Sequence, residues 1–194
     1  TIYPALSATI SASQSTIPAG SQDAFTVHVS GGSGSYEYDY YIGSYSSGWT
    51  TSNPYGYTFS SPGTYNVYAV VKDTVTGQTV QTNTITVTVV AKLVINSFTA
   101  SPSTVTQGQS VTFSWSFSGG EPNYLVSISD SLGIISWSTY TSSTSGSQSF
   151  TMTTAGTDTV TLTVTSSDGQ QASKTITVTI NPPPSTYSVT FTES

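Results

Sequence analysis

Two stretches of the sequence are copies of one pattern, and together they decide the fold. The first is SASQSTIPAGSQDAFTVHVSGGSGSY (Ser11–Tyr36), and the second is TASPSTVTQGQSVTFSWSFSGGEPNY (Thr99–Tyr124). Each residue of the first stretch lies 88 positions before its counterpart in the second. Identical residues fall at the turn glycines, at one apolar position and at the closing tyrosine: Gly20 and Gly108, Phe25 and Phe113, Gly31–Gly32 and Gly119–Gly120, Tyr36 and Tyr124.

The repeat continues towards the end of each copy. PGTYNVYAVVKD (Pro62–Asp73) corresponds to AGTDTVTLTVTS (Ala155–Ser166), and NTITVTVV (Asn83–Val90) corresponds to KTITVTIN (Lys174–Asn181). The offset between the copies changes from pair to pair, which places insertions and deletions in loops. We therefore predict two domains, residues 1–91 and 92–181, followed by a proline-rich linker and one further strand in residues 182–194.

Apolar and polar residues alternate along each copy. Phe25, Val27 and Val29 share one face of a strand, and His28 lies on the other face with Thr and Ser. The same period of two recurs at 65–71 and 85–89, and it indicates strands that bury one face. Short strands between Gly-rich turns, with no segment of helical period, predict an all-β fold. We expect two tandem antiparallel β-sandwiches of about seven strands each, without helices.

The composition limits the possible partners. Three Lys+Arg and nine Asp+Glu make up 6 % of the chain, against roughly 25 % in soluble proteins. With a net charge of −6 and no cluster of cations, the chain is not expected to bind nucleic acid. It has no apolar run of about 18 residues, so we expect no membrane insertion by this segment. Because few carboxylates are present to be protonated, we also expect the fold to be stable in acid.

The first copy resembles the polycystic-kidney-disease (PKD) type of immunoglobulin-like domain. The resemblance lies in SGGSGSYEYDY, in SPGTYNVYAVVKD and in the closing Thr/Val strand. In this family the strand after the Gly-Gly turn usually reads Tyr-x-Trp-Asp-Phe-Gly-Asp-Gly. YEYDYYIG keeps Tyr36, Asp39 and aromatic residues at Tyr38 and Tyr40, but it lacks the Gly-Asp-Gly. The second copy departs further and is included through the internal repeat. The resemblance implies tandem immunoglobulin-like sandwiches that serve as spacers, stalks or interaction modules, not as catalysts.

The chain ends with a strand pattern that neither sandwich needs. Pro182–Pro184 form a stiff spacer of about 9 Å, after which Tyr187, Val189 and Phe191 share one face of a strand. This strand either opens a further domain, which we favour, or is donated to a neighbouring subunit by strand addition. The ending YSVTFTES also resembles the start of a module common in secreted proteins of thermoacidophilic archaea. Together with the Ser/Thr-rich composition, it predicts an archaeal surface protein.

No catalytic, cofactor-binding or metal-binding residues are predicted. His28 is the only histidine, and no partner residues for a metal ligand or a general base are signalled near it. Glu37 and Asp39 lie two apart on the outward face of one strand. They could contribute to a calcium site, but without a further acidic cluster we expect a solvated pair.

The tyrosines between Tyr36 and Tyr57 are too many for one core. Tyr41, Tyr45 and Trp49 fall in or beside a loop, where exposed aromatic rings could form an interaction surface. The alternative, which we favour, is that they pack between the domains or cap the end of the sandwich.

These observations predict a non-catalytic extracellular or cell-surface protein. We expect a stalk or spacer, or a subunit of a surface layer, filament or adhesin, that contacts other domains or other copies of itself. The alternative is a spacer or carbohydrate-binding segment of a secreted hydrolase or protease, with polysaccharide as its partner.

Overall fold

The computed structural model describes residues 2–185. The chain divides between Lys92 and Leu93 into two compact units, called unit 1 and unit 2 below. All regular elements of the described residues are β-strands, so the predicted all-β fold of tandem sandwiches is confirmed. No helix in residues 2–185 is long and apolar enough to cross a membrane.

Unit 1 consists of two sheets that share one core. Its strands are β1 (Ser7–Ala12), β2 (Thr16–Pro18), β3 (Gln22–Ser30), β4 (Tyr36–Ile42), β5 (Tyr45–Ser46), β6 (Tyr55–Thr58), β7 (Gly63–Asp73), β8 (Thr79–Gln81) and β9 (Ile85–Val90). One sheet has the order β1-β3-β6, and the other has the order β2-β9-β7-β4-β5, with β8 also paired to β7.

Unit 2 repeats this topology. Its strands are β10 (Val94–Ser101), β11 (Thr104–Thr106), β12 (Ser110–Ser118), β13 (Tyr124–Asp130), β14 (Ser136–Thr141), β15 (Ser145–Thr151), β16 (Gly156–Thr165) and β17 (Gln171–Asn181). The sheets have the orders β10-β12-β15 and β11-β17-β16-β13-β14. Each strand therefore has the same neighbours as its counterpart in unit 1.

The strand count exceeds seven per unit because some strands are divided into two. The first strand of each unit changes from one sheet to the other, which gives β1 and β2 in unit 1 and β10 and β11 in unit 2. In unit 1 the last strand is also interrupted, since the Thr82 hydroxyl accepts the Ala69 N–H at 3.0 Å. Unit 2 keeps this strand whole as β17.

The predicted alternation locates both cores. In unit 1, Phe25 and Val27 face Tyr40, Val67 and Val87, and all five are nearly or fully buried. The core of unit 2 is built from the same strands, with the largest contributions from aromatic and long aliphatic residues: Phe113, Trp115, Tyr124, Ile128, Leu162 and Ile180.

The Gly-Gly turn supports the same corner in both units. Gly31 and Gly32 have φ angles of 78° and 67°, a region that suits glycine. A Cβ on Gly32 would lie 2.6 Å from the Asp73 carboxylate. The Tyr36 hydroxyl donates to the Gly31 carbonyl oxygen, and the Tyr124 hydroxyl donates to the Gly119 carbonyl at 3.1 Å. The repeated glycines and tyrosines of the sequence are thus parts of one hydrogen-bonded corner.

The first and last strands of each unit pair in parallel. In unit 1, β2 pairs with β9 over Thr16–Pro18 and Thr88–Val90. In unit 2, β11 pairs with β17 over Thr104–Thr106 and Thr179–Asn181. All other strand pairs in the described residues are antiparallel. The predicted final strand at Tyr187, Val189 and Phe191 lies outside the described residues.

Candidate functional site

The outer face of β4 and β7 gathers most of the candidate residues of unit 1. The register places Glu37 opposite Lys72 and Tyr41 opposite Tyr68, with Asp39 between them on β4. With the adjacent Trp49, these residues form what we call the outer aromatic face: Glu37, Asp39, Tyr41, Trp49, Tyr68 and Lys72.

Lys72 joins two members of this face. Its Nζ lies 3.7 Å from Glu37 Oε2 and 5.5 Å from the centre of the Trp49 ring. Trp49 is 47 % exposed. Exposed ion pairs add little to stability, so the main effect of Lys72 is to cover one side of the indole.

Tyr41 is held by its neighbours. Its ring stacks on Tyr68 with centres 4.8 Å apart and planes 7° apart. A hydrogen bond to Asp39, and the charge of that carboxylate, raise the pKa of Tyr41. Both rings of this pair therefore have one face in contact with the other ring.

The structure corrects the prediction that Glu37 and Asp39 form a solvated pair. Glu37 is half-buried, but Asp39 is only 7 % exposed. Asp39 Oδ1 accepts the Ser46 hydroxyl at 2.8 Å and the Ser47 hydroxyl at 3.4 Å. These hydroxyls come from the short β5 segment and the residue after it, whose return over β4 could not be predicted from alternation alone.

Tyr45 belongs to a different place, the seam between the sheet edges β5 and β6. Its hydroxyl lies 2.6 Å from the Tyr55 hydroxyl, and its ring lies 4.9 Å from Tyr57. The hydrogen bond to Tyr45, together with burial, raises the pKa of Tyr55 to about 12. Tyr55 in turn stacks on the buried Tyr40 at 4.8 Å. Tyr45 thus continues the core aromatic cluster to the surface.

The predicted interaction residues Tyr41, Tyr45 and Trp49 are therefore divided between two places. Tyr41 and Trp49 belong to the outer aromatic face, whereas Tyr45 closes the side of the sandwich. Tyr68 completes the face and was not singled out in the sequence. Its alternation with Val67 and Ala69 would have placed it outward. A binding role for the three residues remains a prediction.

The surroundings of His28 and the possibility of a metal site can be judged in the described residues. His28 is exposed on β3, opposite Thr9 of β1. Within residues 2–185, no three His, Cys, Asp or Glu side chains come close enough to hold a metal ion. What the outer aromatic face offers is ring edges, hydroxyls and one ion pair, which suit contact with another surface.

Unit 2 does not repeat the outer aromatic face. The residues of β13 equivalent to Glu37, Asp39 and Tyr41 are Leu125, Ser127 and Ser129. Its prominent aromatic residue is Tyr140 on β14, which is 76 % exposed and lies opposite Leu125.

Unit 1 contains a buried carboxylate at the Gly-Gly corner. Asp73 accepts the Ser33 N–H at 2.5 Å, the Ser33 hydroxyl at 2.8 Å and the Val75 and Thr76 N–H groups at 2.9 and 3.0 Å. Burial alone would raise the pKa of Asp73, but these hydrogen bonds lower it to about 2. The counterpart in unit 2 is the neutral Ser166.

Unit 2 contains a buried pair of acids instead. Asp158 is fully buried and accepts the Ser131 hydroxyl at 2.9 Å, while Asp130 accepts the N–H groups of Ile134 and Ile135. Burial raises the pKa of Asp158, and so do the charge of Asp130 and the hydrogen bond between the two carboxyl groups, although the Ser131 bonds oppose the rise.

Comparison with known proteins finds a family match within unit 1. Residues 7–87 match the PKD domain. Unit 2 repeats the topology and the Gly-Gly corner of unit 1, so the match and the repeat support tandem immunoglobulin-like sandwiches of the PKD type. None of the curated proteins matches the chain.

Several solved structures are similar. A C-terminal fragment of intimin, in complex with the intimin-binding domain of the translocated intimin receptor, has 24 % identity and a TM-score of 0.54 over 92 % of this chain and 65 % of that chain. The fibronectin(III)-like modules of Clostridium thermocellum CbhA have 14 % identity and a TM-score of 0.47, with coverage of 94 % and 100 %. An I-band fragment of titin has 15 % identity and a TM-score of 0.49, with coverage of 87 % and 62 %. The intimin likeness supports the fold.

The PKD-type fold indicates a general class of function. PKD-type domains are typical of extracellular and surface proteins, in which they act as adhesin or spacer modules. They are generally non-catalytic. The predicted archaeal source and acid stability remain predictions.

Proposed function

We propose that this chain is an extracellular spacer that carries tension, as a stalk segment or as a subunit of a surface layer, filament or adhesin. The observation that supports this role most strongly is the parallel pairing of the first and last strands in both units. The second part of the first strand, β2 or β11, is thereby bonded directly to the last strand of the unit.

The hydrogen bonds of this pairing are well defined in unit 1. Thr88 N–H donates to the Ser15 carbonyl at 2.8 Å, and Ala19 N–H donates to the Val90 carbonyl at 2.8 Å. Unit 2 has the same pair of bonds, from Thr179 N–H to the Ser103 carbonyl at 3.0 Å and from Gln107 N–H to the Asn181 carbonyl at 2.8 Å. The parallel pairing is therefore present in both units, with equivalent hydrogen bonds.

Parallel pairing determines how the unit responds to tension. When the chain is pulled from both sides of unit 1, β2 is pulled backward along its length and β9 is pulled forward. The bonds between parallel neighbours are then sheared together, because all of them resist the same displacement. Antiparallel neighbours joined by a hairpin would be opened from one end, one bond at a time.

The outer aromatic face gives less support to polysaccharide binding. Sugars stack on open ring faces, whereas Tyr41 and Tyr68 cover each other and Lys72 lies over Trp49. We therefore favour the spacer over the carbohydrate-binding alternative.

Force spectroscopy on the full chain tests the role. Ala19→Pro removes the N–H that binds Val90 and should lower the unfolding force of unit 1. Asn53→Ala is the matched control, since it removes two hydrogen bonds to Val27 and one from the Tyr40 hydroxyl, away from β2 and β9. If Asn53→Ala lowers the unfolding force as much as Ala19→Pro at equal loss of stability, the parallel pairing makes no specific contribution to mechanical resistance.

A further inference from the structure

The edge strand β14 of unit 2 is open on one side. It has six residues, SWSTYT, and pairs with β13 through an unbroken register from Ser136 to Thr141. No strand in the described residues pairs with its other side. The strand contains no charge, no proline and no bulge, which are the usual means of protecting an edge against pairing.

Unit 1 has a much shorter strand at the same edge. Its edge strand β5 has only two residues, and the following loop bonds to β4 in its place. Tyr38 exchanges backbone hydrogen bonds with Thr50 at 2.8 and 2.9 Å, and Ser47 N–H donates to the Tyr40 carbonyl at 3.0 Å. The two repeats share one topology, so the open edge is a specific feature of unit 2.

The side chains of β14 offer contacts to an added strand on both faces. Tyr140 stands 76 % exposed on the outer face. On the inner face, Trp137 packs 5.7 Å from Trp115 and 6.3 Å from Phe150 and remains half-buried at the rim of the core. A strand with apolar residues at alternate positions could cover one of these aromatic residues while keeping its polar side in water.

We propose that β14 accepts residues 187–192 of a second copy of this chain as an added β-strand. This segment, YSVTFT, alternates apolar and polar residues and carries no charge, as an uncharged edge requires. Strand addition supplies backbone hydrogen bonds, and the alternate side chains supply specificity. The inference rests on the proposed spacer function, because it states how copies of the spacer join.

The chain's own segment is too short to reach this edge. The strand registers place Ser136, the first residue of β14, level with Thr175 of β17 across the sheet. Asn181 lies six residues further along β17, so it is about 20 Å beyond the start of β14 in the strand direction. The open side is also about four strand spacings, roughly 19 Å, from β17. The direct distance is therefore about 28 Å.

The connecting residues span less than this distance. Six residues span about 19 Å in a polyproline helix and at most about 21 Å fully extended. The chain's own segment therefore cannot pair with β14 along its whole length, and we assign the strand to another copy.

Disulfide mapping tests the proposal, because the chain contains no cysteine. One copy carries Ser138→Cys on the exposed face of β14, and the other carries one cysteine at 188, 189, 190 or 191. A disulfide requires Cα atoms about 4.4–6.8 Å apart, and neighbouring strands satisfy this at about 4.8 Å. Side chains alternate along a strand, so the cross-linked dimer should form several-fold more at two alternate positions than at the two between them.

Ser129→Cys is the matched control. It is also exposed, but it lies on β13, one strand further in, where the added strand is about 10 Å away. Yields that do not alternate, or that equal those of this control, would overturn the proposal. A dimer that forms mainly between two copies of the Ser138→Cys variant would overturn it in favour of pairing between two β14 strands. The force measurement on a single chain does not depend on contacts between copies. A negative cross-linking result would therefore exclude the strand addition without excluding the spacer function.

Discussion

The side-chain amide of Asn53 exchanges two hydrogen bonds with the backbone of Val27. Asn53 Nδ2 donates to the Val27 carbonyl at 2.7 Å, and Asn53 Oδ1 accepts the Val27 N–H at 2.9 Å. In unit 2, β15 pairs with β12 along seven residues, but β6 pairs with β3 only from Gln22 to Phe25. The Asn53 amide thus takes the place of a missing strand residue at the edge of unit 1.

Replacing Asn53 should destabilise unit 1. Asn53→Ala leaves the Val27 N–H and carbonyl without their partners, and a buried group left unbonded costs about 1–3 kcal/mol. Chemical denaturation measures the change. Asn66→Ala is the control, because the Asn66 side chain makes one long bond of 3.4 Å to Thr86 on the surface. The Asn53 amide also accepts the Tyr40 hydroxyl at 3.3 Å, so equal stability of the two variants would mean that none of the Asn53 bonds contributes.

The corner glycines should differ in their tolerance of substitution. Gly31→Ala brings a Cβ within 1.9 Å of the Ala5 carbonyl oxygen, which is backbone and cannot rotate away. Gly34 also has a positive φ, of 90°, but open space around it, so Gly34→Ala should cost only about 1–2 kcal/mol of backbone strain. Thermal denaturation should show a clearly larger loss for Gly31→Ala. A similar loss for both would show that the segment around Ala5 yields without cost.

Acid should weaken unit 1 through Asp73. Its pKa of about 2 lies below the ordinary value of about 3.9, so its contribution is present above about pH 4. That contribution is lost as the pH falls towards about 2. Asp73→Asn should flatten the fall in stability over this range, as measured by denaturation of unit 1 at several pH values. An equally steep fall in the variant would assign the acid sensitivity to other carboxylates.

Asp158 of unit 2 should contribute in the opposite direction. The pKa of Asp158 is raised, so the stabilisation linked to its proton is fully present below about pH 3.9, the unfolded value. It declines as the pH rises through the higher folded pKa. Asp158→Asn should remove this dependence, as measured by denaturation of unit 2 at several pH values. Asp168 of the same unit acts in the other direction: burial would raise its pKa, but hydrogen bonds from Gln170 and Ser166 lower it, so its contribution is lost in acid. An unchanged pH dependence in Asp158→Asn would contradict the assignment to Asp158.

The sequence predicts most of the fold and little of the site. Period-two alternation at Phe25, Val27, Val67 and Val87 is a local signal, and it locates the core because burial fixes which face of a strand turns inward. The partners of Asn53 and Asp39 depend on loops that return over distant strands. No local pattern encodes such a return, so these contacts appear only in the structure.

The open side of β14 could not be predicted from the sequence either. The sequence of β14 does not indicate that its outer side is free, because that depends on which strand ends the sheet. The exposed Tyr140 follows from alternation, but its position beside the open edge requires the topology.

Changing the direction of pull tests most directly whether unit 1 resists tension through the shearing of β2 against β9. Cysteine handles can be placed uniquely in this cysteine-free chain. Handles at Gln14→Cys, between β1 and β2, and at Lys92→Cys shear the parallel pair, whereas handles at Ser21→Cys and Lys92→Cys both lie at the same end of it and open it one bond at a time. We expect a clearly higher unfolding force for the first pair of handles. Equal forces in the two directions would contradict the account.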